Sequence, residues 1–186
     1  APEGVKAEYE YTYGRQNWFE HSAAEHAAVR EGVGIFDQTS FSKFLIQGPD
    51  SAKVLNTICA NNVDVAVGKA VYTQWLNPRG TIEADLTVTR LAPAKFLVIT
   101  AGVTHTQVEA WFEKNTPSEA FVTLTDVTSG TSTINIQGPL SRALLTKASG
   151  ADLSNSAFPF ATMQKLEIGY AKVDALRLTY VGELGW

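Results

Sequence analysis

Three carboxylates in this 186-residue chain stand where they could do chemistry. Asp85 and Glu83 lie in Tyr72-Thr-Gln-Trp-Leu-Asn-Pro-Arg-Gly-Thr-Ile-Glu-Ala-Asp85-Leu-Thr-Val-Thr-Arg90, and Glu183 lies in Tyr180-Val-Gly-Glu-Leu-Gly-Trp186. A positioned carboxylate can take a proton from a reacting group or stabilise a developing cation. It can also accept two adjacent N–H donors with charge-assisted bonds. Other chemistries find no support. His21, His26 and His105 are not spaced as metal ligands, and the lone Cys59 has no partner for zinc. There is no Gly-x-Gly-x-x-Gly, no Walker loop and no Gly-x-Ser-x-Gly elbow. Cys59 falls in the helical pattern Val54, Leu55, Ile58, which reads as a buried, inert thiol.

Asn77-Pro-Arg-Gly80 reads as a turn, because Pro sets φ at its second position and Gly accepts conformations other residues resist. Folding the flanking strands about it pairs Trp75 with Ile82, Thr73 with Ala84 and Val71 with Leu86, which gathers the apolar side chains on one face. The other face then carries Tyr72 opposite Asp85 and Gln74 opposite Glu83. A one-residue slip would mix the two faces, which argues against other registers. Two readings of mid-strand Asp85 stand side by side: the solvated face of a half-buried sheet, or a functional carboxylate beside a tyrosine on a surface able to line a crevice. Trp75 and Tyr72 are likewise open between core or sheet residues and stacking platforms.

The elements that must position these groups are short and mixed. Ser22-Ala-Ala-Glu25 has the pattern of a capping box opening a helix through about Glu31, with Gly32 and Gly34 available to end it. A strand is expected over Phe41 to Gln47, and a helix over Pro49 to Ala60 with Val54, Leu55 and Ile58 inward. After the hairpin come a strand over Phe96 to Thr100 and an amphipathic helix over 104–114, whose stripe is Val108, Trp111 and Phe112. Strands near 121–127 and 131–136 flank Ser129-Gly130, which reads as a hairpin turn. A helix from Pro139 and strands near 165–170 and 173–181 complete the list.

An internal repeat orders these elements. Phe44-Leu-Ile-Gln-Gly-Pro-Asp-Ser51 with Val54-Leu55 returns ninety positions later as Ile134-Asn-Ile-Gln-Gly-Pro-Leu-Ser141 with Leu144-Leu145. Each copy says strand, Gly-Pro corner, helix. A phosphate loop is disfavoured, because Pro contributes no N–H to such a corner. The expected fold class is therefore α+β, with duplicated strand–corner–helix subdomains and antiparallel sheets. The halves fall at about 20–115 and 116–186, with room for a crevice between them.

Composition narrows the partners. At 45% hydrophobic, the chain can bury about 70% of the surface its unfolded form exposes. A net charge of −4 with no basic tract argues against nucleic acid. No apolar run approaches the roughly 20 residues that cross a bilayer, and Ala1-Pro-Glu-Gly-Val-Lys6 lacks a signal peptide's regions. The chain reads as soluble and intracellular, fitting a bacterial cytoplasm or a mitochondrial matrix. It starts without Met and stops on a strand running into a glycine turn, which reads as a piece of a longer polypeptide.

Leu76-Asn-Pro-Arg-Gly-Thr-Ile-Glu-Ala-Asp-Leu-Thr-Val-Thr-Arg90, with the Tyr-x-Gly-Glu-x-Gly-Trp end, resembles the folate-binding region of the glycine-cleavage T-protein (aminomethyltransferase) family. Tyr13-Gly-Arg-Gln-Asn-Trp-Phe19, Val33-Gly-Ile-Phe-Asp37 and Ala60-Asn-Asn-Val-Asp64 resemble, more closely, the C-terminal half of flavin-dependent dimethylglycine and sarcosine dehydrogenases or oxidases. The likeness covers essentially the whole chain. It implies a tetrahydrofolate site that captures the one-carbon unit of an iminium as 5,10-methylenetetrahydrofolate. The iminium would come from an upstream FAD domain of the same polypeptide, absent from this chain, as is a C-terminal barrel domain. The family's functional aspartate falls on Asp85 and its pterin-binding glutamate on Glu183, with Tyr72 a candidate neighbour. Thr81 stands where the family often has a second Gly.

The resemblance leaves three functional readings. The first is the folate-binding part of a flavin-linked demethylating enzyme, inactive as an isolated fragment and binding folate weakly at best. The second is a stand-alone aminomethyltransferase of the glycine cleavage system. The third is a non-catalytic folate-binding module, whose Lys-Gly-Cys-Tyr-x-Gly-Gln signature is missing here. The methylamine oxidised, the electron acceptor and the oligomeric state are not legible.

Overall fold

The computed structural model describes residue 4, residues 8–180 and residues 182–186. Most of the Ala1 to Lys6 start and the Val181 end of the last expected strand lie outside the described residues. The fold is α+β with antiparallel sheets. Its largest unit is a five-stranded sheet built from β2 (Ser42–Gln47), β3 (Ala70–Leu76), β4 (Ile82–Ala92), β5 (Lys95–Thr100) and β6 (Thr123–Asp126), in the order β3-β4-β5-β2-β6. Beside it lie two ribbons, one of β1 (Gly34–Asp37) with β7 (Ile134–Gln137) and one of β8 (Thr162–Ile168) with β9 (Ala171–Arg177).

Two hydrophobic clusters divide the interior. The larger one joins Phe44, Ile46, Trp75, Leu86, Val88, Phe96 and Val98 of the main sheet to two helices. These are α2 (Ser51–Ile58), burying Val54, Leu55 and Ile58, and α3 (His105–Asn115), burying Val108 and Phe112 while Trp111 packs half-buried. Both buried stripes follow the 3.6-residue period expected from the sequence. Trp75 is fully buried and packs near the Phe112 ring, so it is a core residue and not a stacking platform. The smaller cluster gathers Leu145 of α4 (Ser141–Ser149) with Leu153, Phe158, Leu166, Ala175 and Trp186.

The repeated sequence makes repeated structure. After β2 and after β7 the chain turns at Gly48 (φ 135°) and Gly138 (φ 125°), and the helices follow with Ser51 and Ser141 donating backbone N–H groups to Gly48 O and Gly138 O, both at 3.0 Å. Positive φ explains the glycine at each corner.

Helix α1 (Phe19–Glu31) opens earlier than the capping-box pattern suggests. Ser22 donates its backbone N–H to Trp18 O at 3.1 Å, so it is already inside the helix and caps nothing. The C-terminal end is as expected: Gly32 N–H bonds to Ala28 O at 3.0 Å.

The expected Ser129-Gly130 hairpin does not form. Residues Thr128–Gly130 make a 3-10 turn between strands of different sheets, β6 pairing with β2 and β7 pairing with β1. The edge of β2 and the lone β1 ribbon each need a partner strand, and that demand outweighs the local turn propensity. The chain end also pairs where the sequence suggested no partner: Ile136 and Trp186 exchange backbone hydrogen bonds at 2.9 and 3.0 Å. Among the described residues no helix is long and apolar enough to cross a membrane, and no group of three or more His, Cys, Asp and Glu could hold a metal ion.

Candidate functional site

The turn at Asn77–Gly80 forms as expected, with Gly80 N–H bonding Asn77 O at 2.8 Å and Gly80 at φ 78°. Its closure is one residue longer, however, because Asn77 N–H bonds Thr81 O at 3.0 Å while the Asn77 Oδ1 accepts from Arg79 N–H and Thr81 N–H. Alone, that change would slide the strands by one position and exchange their faces. A β-bulge removes the conflict: Leu76 faces Ile82 and Trp75 faces Ala84, leaving Glu83 as an extra residue on β4. The two single-residue offsets add to two. From Ala84 onward each face keeps its expected residues, but Ile82, expected beside Trp75 on the apolar face, pairs with Leu76 and is exposed, and Asp85 lies opposite Gln74 and not opposite Tyr72.

Asp85 is exposed on the polar face of this ladder, between buried Ala84 and Leu86. Gln74 donates from Nε2 to its Oδ1 at 3.0 Å, and Thr100 Oγ1 on β5 donates to its backbone carbonyl at 2.7 Å. Tyr72, two residues from Gln74 on the same face, is 62% exposed. Hydrogen bonding to the Asp85 carboxylate is the main influence raising the Tyr72 phenol above its ordinary pKa, and the nearby Tyr180 adds to it.

In the turn carrying Tyr180, Glu183 folds its carboxylate back, with Oε1 accepting from the Tyr180 N–H at 2.9 Å. Glu183 lines a cavity of about 230 Å³ together with Phe160, Arg177, Thr179, Gly182 and Leu184. Arg177 is fixed there by donating to Phe158 O at 2.6 Å and to Asn155 Oδ1 at 2.8 Å. The cavity does not include Asp85. Of the three residues singled out in the sequence, Asp85 and Tyr72 share the polar face of the hairpin, while Glu183 lines a cavity to which neither of them contributes.

Cys59 is buried as expected, and burial pushes its thiol up to about 11 although Trp75 Nε1 donates to Sγ at 3.2 Å. Three contributors escaped the sequence reading. Gln74 lies on the expected face but opposite Asp85 and not Glu83, Tyr180 stands out in the sequence only within its motif, and Gln107 of α3 belongs to no motif. Gln107 Nε2 donates to the Glu83 carbonyl at 3.0 Å and to Glu83 Oε2 at 3.2 Å. A polar residue near the start of an amphipathic helix gives no local signal of such a reach.

Comparisons with known proteins bear on the family and the fold. The family model for the GCVT N-terminal domain matches residues 3–186. A 4-methylaminobutanoate oxidase (formaldehyde-forming) of Paenarthrobacter nicotinovorans is 40% identical over 183 residues, covering 98% of this chain and 22% of its own length. The mitochondrial dimethylglycine dehydrogenase of Rattus norvegicus is 34% identical over 98% of this chain and 21% of its own. The chain therefore spans about a fifth of the length of these relatives. Among solved structures, the glycine cleavage system aminomethyltransferase T from Bartonella henselae superposes with a TM-score of 0.76 at 21% identity, over 96% of this chain and 48% of that one. That likeness concerns the fold alone.

Proposed function

Because the chain belongs to the GCVT N-terminal domain family, we propose that it is the tetrahydrofolate-binding part of a flavin-linked demethylating enzyme, where the one-carbon unit of an N-methylamine is collected as 5,10-methylenetetrahydrofolate. The observation that carries this reading is the pair of positioned carboxylates: Asp85, exposed mid-strand and held at Oδ1 by Gln74, and Glu183, held by the Tyr180 N–H at the wall of a cavity. Identity of 34% with a dimethylglycine dehydrogenase over nearly the whole chain supports it.

The residues present suit the group. Glu183 at the wall of a cavity of about 230 Å³ can accept the adjacent N–H and amino donors of a pterin ring, and Phe160 offers an apolar wall. A cavity below the roughly 300–1,000 Å³ typical of complete small-molecule sites suits the head of such a molecule better than its tail. When bound, tetrahydrofolate supplies the amine nitrogens that accept the one-carbon unit. Asp85 offers a carboxylate that stabilises positive charge at the reacting carbon and takes up the proton released as the C–N bond forms. Gln74 holds Oδ1 of that carboxylate, leaving Oδ2 for the proton. Tyr72 lies on the same face of the ribbon, where the Asp85 carboxylate raises its phenol above the ordinary pKa.

The decisive experiment is Asp85→Asn in the flavoprotein that carries this domain, with methylenetetrahydrofolate and free formaldehyde measured together. General-base loss of 10²- to 10⁴-fold corresponds to about 3–5 kcal/mol of barrier. Folate-coupled product should fall by that factor while amine oxidation continues. Unchanged folate-coupled turnover overturns the role of Asp85.

A second reading has a specific observation behind it: the 40% identical relative is named for forming formaldehyde. If the wild-type protein releases formaldehyde in equal yield with and without tetrahydrofolate, release to water replaces capture. Transfer from an aminomethylated lipoyl carrier by the wild type would instead favour a stand-alone aminomethyltransferase.

A further inference from the structure

The position of Asp85 is not set by the hairpin turn. Closure at Asn77 and Thr81, continued without interruption, would put Asp85 opposite Thr73, a buried residue of the core face. The extra residue Glu83 cancels that slip and returns Asp85 to the face of Gln74 and Tyr72. A bulge leaves local backbone groups out of the ladder, and they need other partners. Here the partners are side chains. Gln107 Nε2, reaching over from α3, donates to the Glu83 carbonyl at 3.0 Å and to Oε2 at 3.2 Å, while Asn77 Nδ2 donates to Oε1 at 2.7 Å. Glu83 is thus gripped at its carbonyl and both carboxylate oxygens by residues from the turn and the helix.

We propose that Gln107 is a positioning residue: with Asn77 it locks the Glu83 bulge and so fixes which face of the β-ribbon presents Asp85. The inference deepens the reading of Asp85 given above and rests on it for its catalytic meaning, though the structural part can be tested without folate. The grip is asymmetric. Asn77 belongs to the same turn and moves with it, whereas Gln107 stands on a helix anchored by buried Val108 and Phe112. The helix is therefore the fixed reference against which the bulge is held.

The test uses Gln107→Leu, which removes the donor while keeping a helix-compatible side chain one bond shorter, and Gln107→Lys, which restores a donor to both the carbonyl and the carboxylate. Nuclear magnetic resonance of the 186-residue chain reads the cross-strand contacts of Asp85 with Gln74 and Tyr72, together with the titration of the Tyr72 phenol. In Gln107→Leu those contacts weaken and the phenol moves down toward its ordinary value near 10, while the buried contacts of Trp75 with Phe112 persist. Gln107→Lys restores both. In the full flavoprotein the same Leu variant loses roughly 10- to 100-fold in folate-coupled kcat, as expected for a misplacement of about 1 Å, with KM little changed. Retention of the Asp85 contacts in a folded Gln107→Leu chain overturns the proposal. Should that variant fail to fold, Glu83→Gln, which weakens the charge-assisted grip but keeps the bulge residue, must shift the same contacts or the proposal falls. If the contacts shift but Asp85→Asn leaves folate-coupled turnover intact, the positioning stands and the reading of Asp85 as catalytic falls.

Discussion

Gln74 Nε2 donates to Asp85 Oδ1 across the β3–β4 ladder at 3.0 Å, a direct cross-strand pair on an exposed face. A carboxylate held by one oxygen has a preferred direction for the other. Replacing Gln74 with Leu should lower folate-coupled kcat by about tenfold through lost orientation, less than the loss from Asp85→Asn. Parallel steady-state kinetics of the two variants check the ranking.

Gly48 sits at φ 135°, and a Cβ there would run into the Phe121 backbone. Gly48→Ala should destabilise the chain by roughly 1–3 kcal/mol from backbone strain, with the clash adding to it. Thermal unfolding monitored by circular dichroism would show the drop, and an unchanged midpoint would refute the account. Gly138→Ala should behave the same way, since its Cβ would meet the carbonyls of Val29 and Gly32.

Asp126 illustrates the acid limb. Hydrogen bonds from the Thr128 side chain and from its N–H at 2.9 Å lower the Asp126 pKa below 3.8. A carboxyl depressed in the folded state contributes stability that is fully present above the unfolded value and lost as pH falls through the folded one. Asp37 is lowered in the same way by Thr39. The double variant Asp37→Asn, Asp126→Asn should therefore show a shallower loss of stability below pH 3.8 than the wild type in urea titrations.

The Cys59 thiol, pushed up to about 11 chiefly by burial, should not react with a disulfide reagent at pH 8 while the chain is folded. One thiol per chain should appear once denaturant is added. Fast reaction in the native state would contradict the packing against Trp75.

Local chemistry was legible where one residue type had one reason to be present. The Gln-Gly-Pro corners, the stripe of α3 and the Asn77–Gly80 turn could be read directly, because φ preference and helical period act within a few residues. Asp85 was assigned to the correct face for the same reason: alternation survives any even shift. Its partner was missed because two odd shifts, one in the turn and one at Glu83, cancel in the pattern of faces. The Ser22 cap and the Ser129-Gly130 hairpin failed differently. In both, short-range propensity was overridden, by continuation of α1 from Phe19 and by strand partners supplied from far along the chain. Gln107 lay beyond reach because its meaning depends on a helix and a bulge meeting in space.

β6, from the later part of the chain, completes the sheet of the earlier part, while β1, from the earlier part, pairs with β7 of the later one. Each half lends the other a strand. If the chain were nicked in the Thr116–Ala120 connection, neither fragment would own a full set of strands, and separate expression should give two poorly ordered pieces. Mixed together, they should recover the fold by mutual complementation, and heating the uncut chain should melt both halves in one event.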